Sequence, residues 1–437
     1  MMGKTNQSCL KKMSLILALC LLPVSFIYAQ LPSELELKNC IEETLRNNPE
    51  LGAAREEVNK AKADSKAVYT EFFPQLSGNL GYNAANSAIV SDGVVDSPSN
   101  RGTQQQLSVG PQLNQNIFAG FKNVGSYQKS KADIQATQAN YDVVKSKVSF
   151  DLKTSFTRLL YNQQLLKLNQ GIVERRFQNL KLVELRFLGG SENKGSFLRS
   201  EAQHKQAEFD VDKTNQDRRV ANAELAKAIG RNEIGEVTAK GGFNYAPPEK
   251  SPDFEGLAAA TPNYKEAKAL TGAAKSSVTV AKSDIFPSVD GVAAYSRIRN
   301  DWQTDINRWT AGVNVSYPFL NSGRTYFEVR SAQAELRRSQ QELVSTNQGV
   351  LYELKKSYAE FSNSIEAIGV QKKLLEAAET RAEIARRQYA NGLMSYQDWD
   401  IIENELINTQ KTMLTSLLTA VLSEAAWEQA QGKGILP

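Results

Sequence analysis

The sequence predicts a mixed α and β fold in which long α-helical hairpins alternate with pairs of β-strands. Apolar residues recur every seven positions through two stretches of roughly 65 residues, which indicates long helices that pair side by side. Four shorter stretches alternate apolar and polar residues, as strands with one apolar face do. Both patterns occur twice in the same order, so the chain contains two copies of one structural unit.

The first 29 residues have the order of a secretory signal peptide. Three lysines precede the apolar run 13–27, and Ala29 follows as a cleavage site. The run is too short for a typical membrane-spanning helix. We therefore predict that 1–29 is a signal peptide and that the mature chain is exported.

Cleavage changes both the charge and the cysteine content. It removes three lysines and no acidic residue, which lowers the formal net charge from +4 to +1 and argues against a nucleic-acid partner. Cys20 follows the bulky Leu19 inside the apolar run, so we expect it to leave with the signal peptide rather than carry a lipid. Cys40 then remains unpaired. A single His in 437 residues argues against a His-based metal or catalytic site, and we expect no cofactor.

Comparison of the chain with itself shows the duplication residue by residue. Pro49 returns as Pro262 at an offset of 213 residues, and Gly190 returns as Gly392 at an offset of 202. One length change of 11 residues separates the two offsets. The predicted copies are 30–240 and 241–437.

Each copy begins with a helix of about two dozen residues and continues into two strands. A proline in the first turn starts each helix, at Pro49 and Pro262, and a second proline, Pro74 or Pro287, ends it. Alternation of apolar and polar residues follows in both copies. The predicted strands are about 75–85, 104–118, 287–298 and 308–320.

The seven-residue stripe begins after the second strand of each copy. Roughly 65 residues at 1.5 Å per residue give a rod of about 100 Å. Gly190 and Gly392 end the two rods, because glycine readily takes the left-handed conformation that closes a helix. A second stripe then returns in each copy, which predicts a helical hairpin with its turn at each glycine.

Four strands with one apolar face cannot lie open in lipid, and four strands are too few to close a barrel. Two chains would supply eight strands, whose interior fills with side chains, whereas three would supply twelve and leave a lumen. The sequence therefore predicts a trimer in which each chain contributes four strands to a 12-stranded transmembrane β-barrel. The hairpins would continue from it as an α-helical barrel of coiled coils.

These features together resemble TolC-like outer-membrane efflux proteins over nearly the whole mature chain. The duplicated order of helix, two strands and hairpin is similar. So are the segment 315–324, which ends in Gly-Arg, and the segment 388–403, which is similar to the family's tip motif Tyr-x-x-Gly-Leu-x-Ser-x-x-Asp. The resemblance implies a homotrimeric duct through the outer membrane and the periplasm. It also implies two partners, a periplasmic adaptor (membrane fusion) protein and an inner-membrane transporter.

The resemblance places a gate at the periplasmic ends of the hairpins. An aspartate ring of the family falls by motif position on Asp398, and three such carboxylates would repel one another and favour cations. A solvated surface charge is the alternative for Asp398. The candidate gate and selectivity residues are Asp398, Asp400, Tyr389 and Arg387, and the candidate adaptor contacts are Gly190, Ser191, Gly392, Leu393, Met394 and Ser395.

The predicted function is the exit duct of a tripartite efflux pump, constricted at its tip at rest and opened by the adaptor. Two alternatives stay open: the exit duct of a type I protein secretion system, and a periplasmic coiled-coil scaffold. An enzyme is not expected, because carboxylates are scattered along rods and His and Cys are scarce. Five methionines, three of them before the predicted cleavage site, give no support for a metal-specialised pore.

Overall fold

A computed structural model describes residues 34–88, 101–232, 235–300 and 304–437, so the predicted signal peptide lies outside it. The described residues form six strands and eight α-helices. The strands are β1 Glu34–Glu36, β2 Gln75–Ala88, β3 Arg101–Ala119, β4 Thr238–Lys240, β5 Ser288–Asn300 and β6 Thr304–Ser316. The helices are α1 Leu37–Asn47, α2 Pro49–Thr70, α3 Lys122–Leu188, α4 Lys194–Ile229, α5 Phe254–Ala260, α6 Pro262–Lys282, α7 Arg324–Ala390 and α8 Tyr396–Ala430.

The two copies contain two equivalent helical hairpins. Helices α3 and α7 have 67 residues each, which makes each about 100 Å long. Helices α4 and α8, with 36 and 35 residues, return along them as second arms. We name α3 with α4 hairpin 1, and α7 with α8 hairpin 2. The predicted fold of long helical hairpins combined with strands is confirmed.

Polar caps start the shorter helix of each copy. The Asn48 side chain accepts a hydrogen bond from the N–H of Leu51 at 3.1 Å, and the Thr261 hydroxyl accepts one from Tyr264 at 3.4 Å. Both caps satisfy backbone donors that the first helical turn leaves free. Proline follows each cap, where its missing N–H costs nothing.

The second arm of each hairpin ends against the start of the shorter helix. Gly230, after α4, has a φ of +90°, and Gly432, after α8, has a φ of +70°. A Cβ atom on Gly230 would lie 2.4 Å from the backbone oxygen of Asn47, and one on Gly432 would lie 2.0 Å from Cδ of Pro262. Backbone conformation and close contact therefore both require glycine at these two positions.

Strands β2, β3, β5 and β6 form one antiparallel sheet in that order, and β1 pairs with β4 in a separate parallel pair. The register sets Leu76 opposite Leu113 and Tyr295 opposite Trp309, so apolar residues of successive strands share one face. Its exposed large members are Leu76, Leu80, Tyr82, Val109, Leu113, Tyr295, Trp309, Val313 and Val315. One side of the sheet is thus apolar and uncovered within the chain.

The strand ends differ from the predicted ones at several positions. Pairing in the second β-hairpin begins at Thr304, opposite Asn300, before the clear alternation at 308. Strand β6 ends at Ser316 rather than at 320, because Pro318 has no backbone N–H to donate to a ladder.

One apolar cluster surrounds β1, α1 and the middle of α3. It contains Leu35, Cys40, Leu152 and Leu159, all fully buried. Burial and the nearby Glu43 raise the pKa of the Cys40 thiol to about 12, so the thiol stays protonated and packs as a small apolar group. No helix among the described residues carries an apolar stretch long enough to cross a membrane.

Candidate functional site at the hairpin tips

The turns at the ends of the two hairpins have the same backbone arrangement. Gly190 and Gly392 have φ angles of +74° and +75°. The N–H of the residue after each glycine, Ser191 or Leu393, donates to the carbonyl oxygen five residues earlier, at 2.8 and 2.9 Å. This Schellman arrangement ends both rods where the sequence predicts their ends.

All six predicted adaptor-contact residues lie in these two turns. Gly190, Ser191, Gly392, Leu393 and Ser395 are exposed, and Met394 is half-buried. The two turns are neighbours, because the Arg186 guanidinium of hairpin 1 donates to the backbone oxygen of Tyr389 in hairpin 2. The structure therefore brings these six residues to one end of the chain.

Tyr389 links the two hairpins through its side chain. Its ring is fully buried and stacks on Trp399 with ring centroids 4.2 Å apart. The Arg186 guanidinium lies 4.7 Å from the ring centroid, and the Tyr389 hydroxyl donates to Oε2 of Glu192 at 3.1 Å. Burial and the charge of Glu192 raise the pKa of Tyr389, so the phenol remains a hydrogen-bond donor.

Asp398 is exposed at the first turn of α8. The Ser395 hydroxyl accepts a hydrogen bond from the Asp398 N–H at 3.1 Å and donates to Asp398 Oδ2 at 2.7 Å. This reciprocal cap fixes the carboxylate at a helix N-terminus, where the helix dipole favours negative charge. Arg387, also exposed, pairs with Glu383 one turn away on the same helix.

Asp400 has a different environment from Asp398. Its side chain is 2% exposed and is directed into the contact between the hairpins. Arg199 Nε donates to it at 2.8 Å and Gln203 Nε2 at 2.6 Å, and Arg176 Nη1 lies 3.7 Å away. Asp400 on α8 therefore joins both arms of hairpin 1.

A second buried carboxylate extends this network. Glu403 is 1% exposed and accepts a hydrogen bond from Arg386 Nη2 at 3.1 Å. Burial lowers the pKa of Arg176, while the charges of Asp400 and Glu403 act in the opposite direction. Near the tip, the two hairpins are thus joined by charges that are largely removed from water.

The polar contact continues along the rods. Lys153 of α3 donates to Glu424 and Glu428 of α8, both at 2.9 Å. Lys411 of α8 donates to Asp210 of α4 at 2.7 Å. We name the contact of α8 with α3 and α4 the intrachain seam. Its polar groups connect the two copies of the duplicated unit.

Reasoning from the sequence alone missed the partners of Asp400. Arg199 stands 201 positions before Asp400, and no local pattern joins the two. Arg176, however, lies seven residues after Asn169 and seven before Val183, and all three are buried. A charged residue on such a heptad line indicates a buried ion pair, which was the available signal.

Comparison with known proteins decides the family. A family model described as outer membrane efflux protein matches residues 40–231 and 257–433, most of the chain. The chain belongs to the outer membrane efflux protein family. The match confirms the family that the tip motif and the duplication indicate, together with the outer-membrane location.

Curated relatives are distant in sequence but match over most of their length. The probable outer membrane lipoprotein SilC of Salmonella typhimurium is 23% identical over 417 residues, which cover 91% of this chain and 86% of SilC. The cation efflux system protein CusC of Escherichia coli K12 is 22% identical over 428 residues, with 91% and 87% covered. The crystal structure of the Campylobacter jejuni CmeC outer membrane channel matches with a TM-score of 0.81 at 16% identity, and 91% of this chain and 86% of that chain are covered. The fold of this efflux protein is therefore that of the solved channel.

Proposed function

We propose that three copies of this efflux protein form one duct through the outer membrane and periplasm, which serves as the exit of a tripartite pump. The four-stranded sheet is the observation that carries the proposal. Among the described residues, β2 and β6 each pair on one side only, and one face of the sheet is apolar and exposed. In lipid, such a sheet needs closure, because its edge N–H and C=O groups would otherwise lack partners.

Closure by three chains fits both faces of the sheet. The β6 strand of one chain would pair with β2 of the next and complete twelve strands. The face with Tyr82 and Trp309 would meet lipid and its interfaces, where aromatic residues are favoured. The opposite face, with Asn79, Gln112 and Asn114, would line a water-filled lumen.

The proposed gate lies at the hairpin tips. Three exposed Asp398 carboxylates, one from each chain, would form an acidic ring that repels itself and favours cations. Tyr389 and Asp400 would hold hairpin 2 against hairpin 1 in the constricted state, and Arg387 would add a positive charge near the ring. Adaptor binding at the exposed tip turns would shift hairpin 2 and widen the duct.

The proposed partners are a periplasmic adaptor and an inner-membrane transporter, which would supply the energy and select the cargo. Efflux is preferred over type I protein secretion because the matching family is described as efflux proteins. CusC is named for cation efflux, so metal cations are one candidate cargo class. Among the described residues, no group of three His, Cys, Asp or Glu side chains is placed to hold a metal.

Single-channel recording in planar bilayers tests the duct and the ring together. Wild-type protein should give discrete, small, cation-selective channels. Asp398→Asn should conduct more and select cations less, because it removes the charge and keeps the size of the side chain. Ser395→Ala, which removes the cap and keeps the charge, should retain the selectivity. Absence of channels would contradict the duct, and an unchanged Asp398→Asn channel would contradict the ring.

A further inference from the structure

The two hairpins differ in what covers their first arms. In hairpin 1, Ile172 of α3 packs with Ile407 of α8 and is only 4% exposed, and Leu168 packs against the same cluster. The repeat offset of 202 residues maps Ile172 to Leu374 and Leu168 to Val370 in α7. These two residues are 51% and 59% exposed. The surface of α7 that corresponds to the covered surface of α3 is therefore open.

The open surface continues towards the tip as a groove beside α7. Ala377, Ile384 and Met394 are among the residues that line it. The residue equivalent to Ala377 in the first copy is Arg175, which donates to Gln410 of α8 at 2.9 Å. The strip that α8 covers on α3 thus has an uncovered counterpart on α7.

Helix α4 carries an unpartnered apolar stripe that matches this groove. Leu198, Phe209 and Val220 follow one another at intervals of eleven residues, and they are 48%, 60% and 59% exposed. Eleven residues are close to three helical turns, so the three side chains lie along one line of the helix. Under the same offset, α4 is the counterpart of α8.

We propose that the α4 stripe of one copy occupies the α7 groove of a second copy of this chain. The contact would repeat between chains the register in which α8 lies against α3 within the chain, and we name it the interchain seam. The inference rests on the proposed trimer, in which six hairpins alternate around one ring. A second copy is the occupant, because the equivalent surface of α3 is already filled by the equivalent helix α8.

The two seams differ in chemistry near the tip. The offset maps Asp400 to Leu198, Arg176 to Ala378 and Arg199 to Ile401. Leu198 and Ile401 are about half exposed in the single chain. The interchain seam is thus apolar where the intrachain seam holds a buried carboxylate and two guanidinium groups.

The same difference occurs halfway along the rods. The offset maps Lys153 to Lys355, while Glu424 maps to Asn222 and Glu428 to Ala226. The ion triad of the intrachain seam therefore has no counterpart between chains.

This difference specifies the order of the hairpins in the ring. If α4 of a neighbour took the place of α8 on α3, Leu198 would face the buried Arg176 and leave its charge without a carboxylate. An unpaired buried charge disfavours the wrong neighbour strongly. The within-chain and between-chain contacts therefore exclude each other by charge.

Cysteine cross-linking of the full chain tests the interchain seam. Lys205→Cys with Leu374→Cys occupies the positions equivalent to Ile407 and Ile172. Oxidation should link separate chains, which gives covalent dimers and trimers on denaturing gels. Gln216→Cys with Leu374→Cys is the matched control, because Gln216 lies on the same face of α4 about 16 Å further along. Buried Cys40 stays unchanged in every variant.

Two further measurements make each outcome decisive. Ile172→Cys with Ile407→Cys should lose free thiols without gaining mass, which shows that the reaction reports the equivalent contact within the chain. Native mass spectrometry counts the chains in the same samples. Trimers that lack the Lys205–Leu374 link, or that link equally through Gln216, would overturn the interchain seam alone. Single chains without any link would overturn the trimer and the seam with it.

Discussion

Three side chains near the tip belong to one short motif but have different tasks. Asp398 is exposed and held by Ser395, whereas Asp400 is buried among donors of hairpin 1. Tyr389 carries a stacked ring and a hydroxyl that reaches Glu192. Position in the motif therefore does not indicate whether a residue faces the duct or joins the hairpins.

Removal of the Asp400 carboxylate should destabilise the protein more than removal of the Asp398 carboxylate. Asp400→Ala leaves Arg176, whose side chain is 8% exposed, without its carboxylate, and a loss of about 3 kcal/mol is expected. Asp398→Ala removes an exposed group and part of a cap, at a cost of about 1 kcal/mol or less. Thermal unfolding in detergent measures both. Equal shifts in melting temperature would contradict the buried network.

The glycines allow a matched comparison of backbone strain with close contact. Gly230→Ala adds a left-handed alanine and a Cβ 2.4 Å from the Asn47 oxygen, which should cost about 2–5 kcal/mol. Gly190→Ala has a similar φ of +74° but meets nothing within 4 Å, so about 1–2 kcal/mol is expected. The melting temperatures of the two variants separate these terms, and equal losses would show that the contact at Gly230 relaxes freely.

Single residues also show where prediction from sequence succeeds. Gly190 and Gly392 could be assigned to turns because each follows a long heptad stripe, and their positive φ angles bear this out. The buried position of Asp400 could not be assigned, because its donors come from helices that precede it by about half of the chain. Local periodicity predicts where a helix ends but not which distant helix covers it.

Among the secondary-structure elements, the link between α4 and α8 should depend on pH. Burial alone would raise the pKa of Asp210, but hydrogen bonds from Lys411 and Gln206 outweigh this effect and hold the pKa below its ordinary value. A carboxylate with a depressed pKa stabilises the fold above its ordinary pKa, near 4, and this contribution is lost as the pH falls through the lower folded-state value.

Thermal unfolding of wild type and Asp210→Asn between pH 3 and pH 8 measures this contribution. The difference in melting temperature should be constant above about pH 5 and should shrink below about pH 4. Added salt should reduce it, because both side chains are partly exposed. A difference that persists at pH 3 would show that Asp210 acts by packing rather than by charge.

At the same scale, the helices could be predicted more closely than the strands. Seven-residue periodicity extends over whole rods, so α3 and α7 could be placed from many residues at once. The strands are short, and their ends depend on pairing between chain segments, as at Asn300 and Thr304. Backbone pairing needs no side-chain pattern, which is why the alternation stops before β5 and β6 do.

For the whole molecule, apolar contact between chains predicts a particular response to mutation and salt. Phe209→Asp places a charge in the interchain seam and should lower the fraction of trimer, while Phe209→Leu should retain it. Phe209 is exposed in the single chain, so neither variant should disturb the fold of the chain itself. Sedimentation in detergent measures the fraction.

Salt should have little effect in the same assay, because burial of apolar surface is not screened by ions. Trimers that dissociate in 1 M salt, or that tolerate Phe209→Asp, would contradict an apolar seam.

The number of chains in one particle tests the central claim most directly. Four strands per chain and a lumen wide enough for cargo require three chains, which complete twelve strands. Native mass spectrometry of the mature protein, released from detergent, should show a single species with three times the mass of the chain. A dominant species of one or two chains would contradict the account, because neither leaves both a closed sheet and an open duct.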